Sequence, residues 1–118
     1  MEILIVREPI DEKAAQELAQ AWHADLLKGV ADIRRGVLAL GGEWHIDANN
    51  VLLADGSAQQ DVWGFNVYPA QRGNEAIEYI SLINVRPAQG NRSMTVVDES
   101  IRMSINMLVQ RYMLFLNV

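Results

Sequence analysis

"LLKGVADIRRGVLALGG", residues 26–42, decides the architecture of this chain. Leu26, Val30, Ile33, Val37 and Leu40 recur at alternating spacings of four and three. That period gathers side chains on one stripe of an α-helix, so the spacing predicts a helix stopped by Gly41-Gly42. Gly29 and Gly36 would each cost such a helix roughly 1 kcal/mol relative to Ala. Their seven-residue spacing puts both on one flank, where close packing against a neighbour would account for them. The competing reading makes residues 28–40 extended, with a turn at Arg34-Arg35-Gly36.

On the N-terminal side, residues 2–7 read as a strand and Pro9-Ile10-Asp11 as a turn, with Asp11 placed to cap a helix through its side-chain oxygen. "DEKAAQELAQAW" (11–22) is rich in strong helix formers, and Ala15, Leu18 and Trp22 share a face. His23-Ala24-Asp25 is then either a bend or the middle of one long helix. On the C-terminal side the period changes. "EWHID" (43–47), "NVLLA" (50–54), "DVWGFNVY" (61–68) and "AIEYISLINVR" (76–86) are short runs of β-branched and aromatic residues separated by turn chemistry. They predict an antiparallel meander. A last helix is expected from about Asp98 to Phe115, because Ile101, Ile105, Leu108, Tyr112 and Phe115 again recur by fours and threes. The expected fold is a single α+β domain over 1–118, with an antiparallel sheet of four to five strands packed with two or three helices. Met103, Met107, Met113 and Leu116 widen the apolar surface of the last helix, which predicts a homodimer.

Composition bounds the function. The 118 residues carry a formal net charge of −5 and include no cysteine, so disulfide staples and cysteine chemistry are excluded. The acidic balance disfavours nucleic-acid binding, which needs clustered cations to displace counterions from phosphates. "MEILIVREPI" lacks a basic leader and a long apolar region and reads as the first strand of a cytoplasmic protein. The apolar "MLFLNV" is far shorter than the roughly 20 residues that cross a bilayer, so no membrane segment is expected.

Polar residues that converge mark where chemistry would occur. If "EWHID" is a strand, Glu43, His45 and Asp47 share one face, where they make a low-specificity option for a divalent metal; no metal motif accompanies them. His45 or Asp61 is the candidate general base. Asn66 faces away from Trp63 and Phe65, beside Gly64. Residues 84–100, "NVRPAQGNRSMTVVDES", then place Asn84, Arg86, Gln89, Asn91 and Arg92 between a strand and a helix. Guanidinium forks and a helix N-terminus suit a small anion, phosphate or carboxylate. Asp98 and Glu99 oppose that reading as caps that already use the helix donors, and the arginines pairing with Glu43, Asp47, Asp61 or Glu78 would make a structural network instead. Gly90 belongs to no P-loop or dinucleotide fingerprint, and the sequence leaves any cofactor unknown.

"LGGEWH", "DGSAQQDVWGFNVYP" and "INVRPAQGNRS" together resemble a family of small bacterial proteins of unknown function. The resemblance rests on Gly42 with His45, Trp63-Gly64 with Asn66, and Asn84 through Ser93, and it implies a shared single-domain fold without implying an activity. Three roles follow for testing. The chain is a binding module for a small anion, a small hydrolase with His45 or Asp61 as base, or a structural and interaction protein.

Overall fold

A computed structural model of the protein describes residues 3–117. The decisive stretch is a β-hairpin, not a helix: β2 (Leu27–Asp32) pairs antiparallel with β3 (Val37–Leu40). The turn is built by Asp32, whose Oδ1 accepts from the backbone N–H groups of Arg34 and Arg35, both at 2.9 Å. Gly36 completes it at a φ of 73°, a conformation that costs glycine least. The helical period was misleading because both strands are covered on both faces. Leu27, Ala31, Leu38 and Leu40 belong to one core cluster, and Val30, Val37 and Ala39 belong to another. A strand buried on two sides shows no alternation, and its apolar run then admits a helical spacing by coincidence. The close packing expected at Gly29 is present: an added Cβ would meet Phe65 Cζ at 2.4 Å.

Around this hairpin the sheet has the order β1-β3-β2-β4-β5, antiparallel throughout. Its other strands are β1 (Leu4–Val6), β4 (Val62–Val67) and β5 (Ile77–Glu78). Of the strand expected over 2–7, residue 2 lies outside the described residues. Helix α1 (Glu12–Trp22) begins at the expected cap, Asp11 accepting from Ala14 N–H at 2.8 Å. Helix α3 (Glu99–Tyr112) is capped by Asp98, which accepts from the N–H groups of Ser100 and Ile101.

A second correction concerns residues 43–54. "EWHID" and "NVLLA" are not strands; they enter and form helix α2 (His45–Ala54). Asp47 reaches back to accept from Trp44 N–H at 3.1 Å, satisfying a donor at the helix start. His45, Ala48, Asn49 and Leu52 are the buried face, a helical spacing that three alternating polar residues concealed. A third concerns 76–86, which contributes only the two residues of β5. The chain then leaves the sheet, pairs outside it through an isolated antiparallel Ile80–Thr95 bridge, and makes a 3-10 turn at Leu82–Asn84.

The result is three layers. Ala15 and Ala19 of α1 and Ile105, Leu108 and Val109 of α3 pack with Leu38, Trp63 and Phe65 on one face. Ala48 and Leu52 of α2 cover Val30, Ala39 and Val62 on the other. Each large aliphatic side chain so enclosed contributes about 1.5–3 kcal/mol of transfer free energy. No helix among the described residues is long and apolar enough to cross a membrane.

Candidate functional site

β5 covers only Asn66 and Val67, so the outer edge of β4 before them has no strand beside it. Side chains complete that edge. Asn84, fully buried, accepts from Gly64 N–H at 2.8 Å and donates to Gly64 C=O at 3.0 Å, behaving as one residue of a missing strand. Arg86 donates through Nη2 to Val62 C=O, through Nη1 to Gln59 C=O at 2.9 Å and through Nε to Ile83 C=O at 2.9 Å. Its guanidinium stacks 4.3 Å from the Trp63 ring centroid, and its partial burial lowers its pKa. Asn91 ties the loop together: its Nδ2 donates to the carbonyls of Asn84, Ser93 and Thr95, and its Oδ1 accepts from Val97 N–H at 3.0 Å. Gln89 donates to Gln60 C=O at 3.1 Å. The "NVRPAQGNRS" chemistry is thus spent largely on unpaired backbone, because a buried carbonyl or amide without a partner is costly. Arg92 is exposed on the same loop.

A cavity of about 580 Å³ lies next to this edge, between the start of α2 and the 80–83 segment. Lys28 from β2 and Asn66 from β4 form its floor, and they are cross-strand partners. Cross-strand partners project from the same face. Trp44, Ile46, Ile80, Leu82 and Met94 form an apolar rim that stays in solvent, Leu82 at 73% exposure and Trp44 at 59%. Lys28 Nζ sits 5.8 Å from the Trp44 ring centroid, within reach of a cation–π attraction.

His45 stands at the first turn of α2 and lines the cavity while only 7% exposed. Its Nε2 lies 2.8 Å from Phe65 C=O. A carbonyl only accepts, so Nε2 carries the proton and Nδ1 of the neutral ring is a bare acceptor. Burial is the main cause that lowers the His45 pKa from 6.5; Lys28 lowers it further, while the Phe65 carbonyl and the neighbouring Asn66 side chain act the other way. The net balance favours the neutral ring. Asn66 donates through Nδ2 to Glu78 Oε1 and to Ile80 C=O, each at 3.3 Å.

Of the residues singled out from the sequence, the cavity brings together His45 and Asn66. Asp61 sits at the entry to β4, outside the lining, where its carbonyl accepts from Ile33 N–H at 3.0 Å. Glu43, His45 and Asp47 do not share a strand face. Glu43 is exposed with its carbonyl on His23 Nε2, and Asp47 is used at the helix start. Among the described residues no three His, Asp or Glu side chains are grouped to hold a metal ion. Lys28, Trp44 and Ser81 were missed. Lys28 had a signal, as the one charge before Asp32 in the apolar run from Leu26. Trp44 had none, because its exposure follows from where α2 starts.

A family model described as a protein of unknown function, DUF5674, matches residues 4–112. No curated protein and no solved structure matches the chain.

Proposed function

The chain belongs to the DUF5674 family of proteins of unknown function, and we propose that it binds a small molecule with an apolar body and one carboxylate. The carrying observation is the cavity between α2 and the 80–83 segment, apolar in its walls, with Lys28 as the cation in its lining. Ligand sites commonly combine a large apolar surface with few oriented polar groups. One ammonium balances one carboxylate, and the Trp44 ring beside it holds the stem in place. The positive dipole end of α2 adds to the attraction, offset in part by the Asp47 carboxylate in its first turn. A phosphate, with its larger charge, would enter these apolar walls at a higher desolvation cost. This reading keeps the expectation of a small anion and moves it from Arg86 and Arg92 to Lys28.

The test is a titration of wild type and Lys28→Met with indole-3-acetate, its methyl ester and inorganic phosphate, followed by protein NMR. The acid is expected to perturb Trp44, His45 and Asn66. The ester and the variant should bind about tenfold or more weakly, as a lost charge-assisted hydrogen bond of about 1.5–3 kcal/mol implies. Equal binding of acid and ester, or no response from the cavity residues, would sink the proposal.

A further inference from the structure

We infer that the cavity takes up its carboxylate together with a proton, which His45 accepts, so that the acid binds more tightly as the pH falls. The inference rests on the carboxylate-binding reading above and adds the regulation of that site. Its basis is the pair of ionisable side chains in the cavity wall and the groups that surround them.

Lys28 and His45 are the titratable side chains of the lining, and no carboxylate stands among the residues that form it. A bound acid therefore brings the negative charge that the cavity wall lacks, and both side chains feel it. His45 is only 7% exposed, with Nε2 2.8 Å from Phe65 C=O. The Asn66 side chain is the ring's other polar neighbour. Asn66 Nδ2 is engaged with Glu78 Oε1 and Ile80 C=O, each at 3.3 Å, which leaves its oxygen for the imidazole. Both neighbours of the ring are acceptors, and both favour its protonated form. Burial and the charge of Lys28 oppose that form. The ring is thus held neutral among contacts that suit a cation.

A carboxylate seated on Lys28 changes that balance. Its charge cancels the repulsion by which Lys28 keeps the proton off, and it adds an attraction of its own. Little further desolvation follows, because the ring is already buried. The proton goes to Nδ1, the nitrogen that the bond to Phe65 leaves bare. The other charges near the ring are engaged elsewhere. Glu78 on β5, behind Asn66, accepts from Tyr68 O–H at 2.9 Å, and Asp47 on α2 accepts from Trp44 N–H. His23, at the end of α1, exerts the smallest of the opposing effects, and its Nε2 lies 2.8 Å from Glu43 C=O. The sign of the linkage follows. The occupied protein keeps the proton to a higher pH than the free protein does, so affinity climbs as the pH falls and levels off once the free ring is protonated as well.

The experiment uses the unmodified protein, so it does not depend on any variant folding. Indole-3-acetate, largely ionised throughout, is titrated in by calorimetry at pH 7.5 and at pH 5.5, in buffers of different ionisation enthalpy that reveal proton uptake. The His45 ring is titrated by NMR with and without the acid. An opposite charge close to a buried ring shifts its protonation strongly, so the ionised acid is expected to bind roughly five- to tenfold tighter at the lower pH. Up to one proton should enter with each acid, and His45 should titrate at higher pH in the complex. His45→Gln, whatever its affinity, should lose the pH slope. If the acid perturbs the cavity residues while affinity, proton count and His45 titration stay flat, the proton coupling is overturned and carboxylate binding stands. A slope that persists in His45→Gln assigns the proton to another group and overturns the coupling equally. If the acid reaches the cavity at neither pH, the carboxylate reading fails and this inference falls with it.

Discussion

Replacing Asn84 with alanine separates a structural role from a binding role. Gly64 is buried in β4, and the Asn84 side chain supplies both hydrogen bonds on the open side of that residue, at 2.8 and 3.0 Å. Alanine would leave one N–H and one C=O buried without partners, each costing about 1–3 kcal/mol. The sum is about 2–6 kcal/mol, and water entering beside the exposed 3-10 turn pulls it toward the lower half, about 3 kcal/mol. For a chain of this size that corresponds to a fall in Tm of about 12 °C. Urea unfolding at pH 7.5 measures it, with a shifted midpoint at unchanged slope as the expected form. Asn84→Asp should fall at least as far, because a carboxylate accepts from Gly64 N–H but cannot donate to its carbonyl. A loss under about 1 kcal/mol for Asn84→Ala would refute the claim that this side chain stands in for a strand, and would return Asn84 to the list of free ligand groups.

Two further outcomes follow from the same region. Gly64→Ala would place its Cβ 2.5 Å from Ser81 Cβ and 2.7 Å from Ser81 Oγ. It should cost about 1–3 kcal/mol by overpacking, read by chemical unfolding, and adding Ser81→Gly should restore part of that; the absence of any recovery would contradict the contact. The lowered His45 pKa makes stability depend on pH with a definite sign. The unfolded chain takes up a proton near 6.5 and the folded chain only at lower pH, so this contribution is complete above about 6.5 and is lost as the pH falls toward the folded value. Wild type should therefore lose stability between pH 7 and 5 faster than His45→Gln in parallel urea titrations, and parallel curves would contradict the burial argument.

Local chemistry was legible in the sequence wherever its partners lie within a few residues. The caps at Asp11 and Asp98, the helix-forming composition of α1, the stripe of α3 and the strand at Val62–Val67 are all decided by neighbours along the chain, and each was read correctly. An α+β domain with an antiparallel sheet follows from those elements. Residues 26–40 were misread because burial on both faces erases the alternation that identifies a strand, and only the packing of α2 opposite α1 and α3 makes burial two-sided. "EWHID" was misread because its polar alternation carries the same information in a strand as in the first turn of a helix; the bond from Trp44 N–H to Asp47 chooses between them once Gly41-Gly42 has turned the chain. The polar residues of 84–91 were legible as a cluster and their task was not. Whether Asn84 and Arg86 face a ligand or a bare strand edge depends on where β5 ends, 12 residues along from Asn66 to its partner Glu78. The cavity is the extreme case. Lys28, His45, Asn66 and Leu82 come from four separate segments, and the Asn66 amide is oriented only once Glu78 and Ile80 accept from it. A sequence sets which donors and acceptors a chain owns; which of them remain unpaired is a property of three-dimensional contact.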